Sequence, residues 1–179
     1  IITESNVESR RFNLSRLLFN GSEVVMQHTG VQDNIMPALA DYQCFDSAEL
    51  AEEGAFLLSD KATENAFTAE YNVKGEGKMV FSYTDADNYG YMSFDGRNVS
   101  VRRVSGGSDT EIAKAATYRQ MRADVIHTVM ISYKNGLANI SVDYQEIAAN
   151  VDIGEFGGGK VGYSDGYSYK GCLTFNNTA

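Results

Sequence analysis

Tryptophan is absent from the sequence, proline occurs once, and cysteine and histidine occur twice each. Without an indole, any stacking against the flat face of a ligand falls to tyrosine and phenylalanine. The lone Pro37 leaves no proline-rich linker. His28 and His127 have no second histidine or cysteine at ligand spacing, which leaves zinc without a site. No Gly-x-Ser-x-Gly elbow offers a nucleophile. Cys44 and Cys172 are too far apart in sequence for a metal or redox motif; oxidised they would join an early strand to a late one, reduced they would be two buried thiols. Positive charge is scarce as well: 15 Lys and Arg stand against 24 Asp and Glu, a net charge of −9. Nucleic acid and anionic membrane surfaces are polyanions and are repelled by that balance. Apolar runs such as 129–131 are far too short to span a bilayer, so membrane insertion is excluded too.

What is abundant points one way. The chain has 17 Gly, 11 Tyr and 9 Phe, a mixture suited to many short strands joined by tight turns. Its length fits one domain, 1–179, with a sizeable core. A start on Ile1 fits a chain processed or cut from a longer polypeptide, and the polar stretch 1–11 lacks the apolar centre of a signal peptide. Asn-x-Ser/Thr sequons begin at Asn13, Asn20, Asn98, Asn139 and Asn176, but those at Asn98 and Asn139 run into or lie within expected strands, so chance in an Asn- and Ser-rich chain explains them.

Residues 1–40 are the least legible: 24–27 reads as a short strand, 16–19 as a strand or a helical turn, and Pro37 disfavours helix at Met36. A short helix is expected near 46–53, capped by Asp46 or Ser47 and ended by Gly54. From there the pattern is β. Strands are expected at 55–59, 66–73, 78–84, 89–94, 99–104, 125–133, 137–143, 146–148, 160–163 and 169–175, with turns at Lys74-Gly75-Glu76-Gly77, Asp85-Ala86-Asp87-Asn88, Asp95-Gly96-Arg97-Asn98, Ser105-Gly106-Gly107-Ser108-Asp109 and Asn135-Gly136. The stretch 111–122 has helical composition but a β context, and a strand at 111–113 is preferred. Gly157-Gly158-Gly159 precedes a strand rather than a helix, which makes it a turn and not a phosphate cradle. Ten or more strands must divide into two packed sheets, giving an all-β, antiparallel β-sandwich of jelly-roll type.

The order of signals from residue 55 onward resembles the concanavalin A-like lectin/glucanase superfamily, and within it the laminin-G-like and carbohydrate-binding modules. The likeness is carried by Ala66 to Val73 (AFTAEYNV), Gly77 to Phe94 (GKMVFSYTDADNYGYMSF), His127 to Asp143 (HTVMISYKNGLANISVD), and Lys160-Val161-Gly162-Tyr163 with Cys172-Leu173-Thr174-Phe175-Asn176-Asn177. Relatives of this kind hold a structural Ca²⁺ between an early acidic loop and a terminal Asp; here Asp46 and Asn176 stand at those places, and the amide removes one charge from a hard-cation site. No cofactor is otherwise required. The resemblance also extends to the Glu-x-Asp-x-x-Glu strand of laminarinase-type glucanases, at Asn150-Val151-Asp152-Ile153-Gly154-Glu155-Phe156. Its first position is an amide, which cannot act as nucleophile, so a hydrolase is disfavoured.

A sugar site needs aromatic platforms beside fixed hydrogen-bonding groups. Two clusters supply both: Tyr83, Asp85, Asp87, Asn88, Tyr89 and Tyr91 around one hairpin, and Tyr163, Asp165, Tyr167 and Tyr169 before the last strand. Arg102 and Arg103 add planar donors. The competing reading puts the first set's tyrosines in the core and its acids in a turn; a sheet face could instead carry the site. The function expected from the resemblance is a non-catalytic carbohydrate-binding module, secreted or at the cell surface, that tethers a neighbouring catalytic domain to an oligo- or polysaccharide. A laminin-G-like adhesion module is the alternative, and a glycoside hydrolase a more distant one.

Overall fold

Tight turns at short intervals break the chain into strands that pair mostly with their sequence neighbours. In the computed structural model the described residues are 40–122 and 124–178, preceded by four short strands. The chain divides into two units, Ile1–Leu39 and Ala40–Ala179. In the first, β1 (Ile2–Glu4) pairs with β2 (Arg10–Phe12), and β3 (Arg16–Phe19) with β4 (Val24–Gln27), both antiparallel. Residues 16–19 are therefore strand, not a helical turn. The expectation at Pro37 lies outside the described residues, as does part of the single domain expected over 1–179.

The second unit holds β5 (Tyr42–Cys44), β6 (Ala51–Glu53), β7 (Phe56–Ala62), β8 (Phe67–Gly75), β9 (Met79–Asp85), β10 (Asn88–Phe94), β11 (Asn98–Ser105), β12 (Ser108–Ala116), β13 (His127–Lys134), β14 (Leu137–Val142), β15 (Gln145–Asp152), β16 (Lys160–Ser164) and β17 (Tyr167–Asn177). They form two antiparallel sheets: seven strands in the order β12-β11-β10-β9-β16-β7-β6, and six in the order β15-β14-β13-β8-β17-β5. This is the expected β-sandwich.

Alternation explains the core. On β8 the residues Phe67, Ala69, Tyr71 and Val73 all point inward, as do Val129, Ile131 and Tyr133 on β13. They meet Met79, Phe81, Met92, Phe94, Val99 and Val101 from the seven-stranded sheet. Each Val, Ile, Met or Phe among them contributes about 1.5–3 kcal/mol by leaving water. Gly90 faces this interior, where a Cβ would run into the rings of Phe81 and Phe156.

The helix expected near 46–53 is a correction. Asp46 does cap as expected, its Oδ1 accepting from the Ala48 N–H at 3.0 Å, but only one 3₁₀ turn, Ser47–Glu49, follows. Leu50 is buried, and Ala51–Glu53 pairs with Phe56–Leu58, so a strand contact replaces the next helical turn. Residues 108–116 are strand throughout, in line with the preferred reading of the ambiguous stretch. Cys44 is in register with the inward-facing Leu173, so Cys172 leaves its strand from the opposite face and both thiols are free. Among the described residues, no helix is long and apolar enough to cross a membrane.

Candidate functional site

The outer face of the seven-stranded sheet is not polar, as a solvated sheet face usually is. A second hydrophobic cluster, separate from the core, lies there: Phe56, Leu58, Val80, Tyr83, Tyr89, Tyr91 and Val104. On β10 strict alternation puts Tyr89 and Tyr91 outside, with Met92 and Phe94 inside. On β9 alternation would put Tyr83 inside with Met79 and Phe81. It does not, because Ser82 forms a bulge. Its φ is +49°, and the register shifts beside it on both neighbours, between Asn88 and Gly90 on one side and between Lys160 and Gly162 on the other. Against β16 the three steps from Val80 to Tyr83 oppose the two from Gly162 to Lys160, and that one extra residue turns Tyr83 to the outer face. A left-handed non-glycine residue costs about 1–3 kcal/mol, and the Ser82 hydroxyl is buried without a partner. The Gly159 backbone crosses so close that a Cβ there would lie 2.5 Å from the Ser82 carbonyl carbon and 2.7 Å from the Tyr83 N and O.

Phe56 packs edge-on against Tyr83 and Tyr89, and the tyrosine rings are tilted against one another. Centroids are 5.6 Å apart for Phe56–Tyr83, 5.1 Å for Phe56–Tyr89, 5.9 Å for Tyr83–Tyr89 and 6.0 Å for Tyr89–Tyr91. The three tyrosines are only 5–8% exposed, so they form a floor. Polar groups are fixed to it. The Tyr91 hydroxyl donates to Asp109 Oδ2 at 2.7 Å, and Arg102 Nε donates to Asp109 Oδ1 at 2.9 Å. Lys78 donates to the Tyr89 hydroxyl at 3.2 Å, with its ammonium 4.3 Å above the Tyr91 ring. Across the floor, Lys160 Nζ and Glu53 Oε2 pair at 2.7 Å.

Titration follows from these contacts. Burial and the bond to Asp109 push the Tyr91 phenol up to about 12. Burial, then the Glu53 carboxylate beside it, raise Tyr83. Burial works against the Asp109 carboxylate, yet bonds from Tyr91 and Arg102 outweigh it and hold Asp109 below its ordinary range. The Arg102 and Asp109 side chains keep 30% and 38% of their surface in water, leaving guanidinium N–H groups and carboxylate lone pairs free to meet a ligand.

Of the expected site residues, Tyr83, Tyr89, Tyr91 and Arg102 come together on this face. Asp85 and Asn88 brace the turn at its end: Asn88 Nδ2 donates to both Asp85 oxygens, and its Oδ1 accepts from Gly106 N. Asp87 is exposed in the same turn, its carbonyl accepting from Gly107 N. Arg103 does not join them. It points to the other side of the sheet, 4.1 Å over the Phe156 ring, and donates to the Ile153 and Glu155 carbonyls. The second expected cluster does not assemble as a surface. Tyr163 and Tyr167 are buried in the core, whereas Asp165 and Tyr169 are exposed. Sequence reasoning missed Asp109, Glu53, Lys78 and Lys160. The first was within reach: a hairpin about Gly106-Gly107 sets Asp109 opposite Val104, beside Arg102.

Asp46 and Asn176 do not come together. They lie toward opposite ends of β5, where Asp46 caps the 3₁₀ turn and Asn176 Oδ1 accepts from Asp41 N. Those residues do not fit a Ca²⁺ ion, and no group of three or more His, Cys, Asp or Glu among the described residues could hold a metal. The glucanase-like stretch presents no facing carboxylates either: Asp152 Oδ1 accepts from Gly154 N, and Glu155 turns toward the Tyr133 hydroxyl. His127 is structural, with Nδ1 2.9 Å from Asp143 Oδ2 and Nε2 2.7 Å from the Arg122 carbonyl.

No family model matches the chain, and no curated protein matches it in sequence. Solved structures do match. The carbohydrate-binding module CBM66 from Bacillus subtilis is 20% identical, over 68% of this chain and 78% of that one, with a TM-score of 0.52. The Caenorhabditis elegans galectin LEC-6 is 12% identical, over 75% of this chain and 96% of that one, with a TM-score of 0.49. What the chain shares with CBM66 is the fold, a two-sheet antiparallel β-sandwich. At such identities the likeness extends to the fold and no further.

Proposed function

We propose that this sandwich is a non-catalytic module that binds a neutral saccharide on the outer face of its seven-stranded sheet. The observation that carries the reading is the Tyr91–Asp109–Arg102 chain, a carboxylate and a guanidinium fixed side by side on a buried aromatic floor. Vicinal hydroxyls both donate and accept, so such a pair bonds to them with little ordering cost, because the floor already holds its tyrosine partner in place. Neutrality follows from charge. Lys78, Arg102 and Lys160 are matched by Glu53, Asp109 and Glu111 on the same face, and the chain as a whole carries −9. A uronic or sulfated polymer would meet repulsion. The module would act outside the cell, tethering a neighbouring catalytic domain to its polymer by raising local concentration.

The test is a glycan array read with the native protein and with Arg102→Ala and Asp109→Asn. Neutral glycans are expected to bind, and either change to weaken them about tenfold or more, by removing a charged hydrogen bond. Binding that both variants retain in full would refute the site, and exclusive binding of acidic glycans would refute the charge argument.

A further inference from the structure

The outer face carries a second polar pair that mirrors the first. On one flank Tyr91 reaches Asp109, which Arg102 also holds. On the other flank Lys160 reaches Glu53 at 2.7 Å, and Glu53 lies beside the Tyr83 hydroxyl. Each flank thus sets one tyrosine, one carboxylate and one cation together, with Tyr89 and Phe56 between them. The register confirms that both flanks share a face: Tyr91 is opposite Arg102, Lys160 opposite Tyr83, and Glu53 opposite Phe56. Lys160 and Glu53 remain 38% and 44% exposed, so their polar ends are open to a ligand.

The second flank exists only because the Ser82 bulge turns Tyr83 outward. With plain alternation Tyr83 would enter the core, and the Glu53 carboxylate would lose its phenol. A strained residue with a buried, unpartnered hydroxyl is kept at the one place that completes this array.

Three interstrand steps separate β11, which bears Arg102, from β16, which bears Lys160. At about 4.8 Å per step the two strands lie roughly 14 Å apart across the sheet, and the offset along β9 from Val80, level with Arg102, to Tyr83, level with Lys160, adds to that. That span exceeds one sugar ring. We infer that the face holds an extended saccharide chain across its strands, clamped at Arg102–Asp109 and at Lys160–Glu53, and so takes internal stretches of a polymer rather than a single terminal sugar. The inference rests on the saccharide reading above and adds the ligand's length and direction.

The experiment is calorimetric titration with cello-, xylo-, manno- and laminari-oligosaccharides of two to six units, using the native protein, Arg102→Ala, Lys160→Ala and Glu53→Gln. For the ladder that binds, affinity is expected to rise about tenfold or more from two units to six. Lys160→Ala and Glu53→Gln are expected to weaken the six-unit ligand about fivefold or more while leaving two-unit binding unchanged; Arg102→Ala weakens both. Far-ultraviolet circular dichroism checks the fold of each variant. Equal affinity for two and six units, or full six-unit affinity in Lys160→Ala, would overturn the second clamp and leave the saccharide reading standing. No binding by any ladder, with the native protein folded, would remove both.

Discussion

Replacing Tyr133 by Phe keeps the ring and removes one hydroxyl, which isolates what that oxygen does. Tyr133 is 1% exposed, with its ring 5.6 Å from Phe67 and 6.0 Å from Phe156. Its oxygen accepts from the Phe156 N–H at 2.8 Å and from the Gly136 N–H at 3.2 Å. Its own proton has three acceptors at 3.4 Å, the Gly154 and Phe156 carbonyls and Glu155 Oε2, and losing those long contacts costs little. The two backbone donors are different, since both contacts are buried and each orphaned N–H costs about 1–3 kcal/mol. Tyr133→Phe is therefore expected to lose roughly 2–4 kcal/mol, less than the full sum because segment 153–159 can shift toward water. The loss should appear as a lower urea midpoint with unchanged slope, and the Phe156 amide should exchange faster than those of β8 and β13. A loss below about 0.5 kcal/mol would refute the reasoning, because two unpaired buried donors cannot be that cheap.

Two further outcomes follow from the same physics. Ser82→Gly relieves a positive φ and a partnerless hydroxyl, and should stay within about 1 kcal/mol of the native stability, whereas the β-branched Ser82→Val should lose about 2 kcal/mol or more; equal stability of the two in urea unfolding would refute the bulge argument. In acid, bonds from Asn98 and Arg97 overcome burial to hold Asp95 low, and Asp109 is held low as described above. A carboxyl depressed by folding stabilises fully above its unfolded value, near 4, and the benefit is lost as pH falls through the folded value. Asp95→Asn and Asp109→Asn should each flatten the fall in melting temperature below about pH 4, and an unchanged slope in both would count against the assigned contacts.

The layers of the fold were legible because turns and alternation are local. Asn135-Gly136 and Gly106-Gly107 adopt the positive φ that hairpins require, and the strands on either side pair as expected. The misread helix at 46–53 has an equally physical cause. Asp46 and the acidic residues after it are real cap signals, but they report only the first turn; edge pairing of Ala51–Glu53 with β7, a tertiary contact, decided the rest.

The candidate site was half legible for a reason that separates two kinds of tyrosine cluster. A tyrosine's face is a matter of parity along its strand, and parity holds only until a bulge inserts a residue. Tyr89 and Tyr91 obey it, and alternation from Met92 and Phe94 places them outside. Tyr83 breaks it because Gly159, a residue remote in sequence, brings its backbone against Ser82 and Tyr83, and no local pattern near residue 82 carries that approach. The Tyr163–Tyr169 loop shows the converse. Its run of tyrosines looks like a platform, yet pairing sets Tyr163 opposite the core residue Met79, and Tyr167 packs its ring against Gly77. Aromatic composition marks where tyrosines gather; register decides which of their rings lie on an outer face. Here register selects the three tyrosines of β9 and β10, and with them the charged residues of β11, β12, β16 and β6 that frame the proposed site.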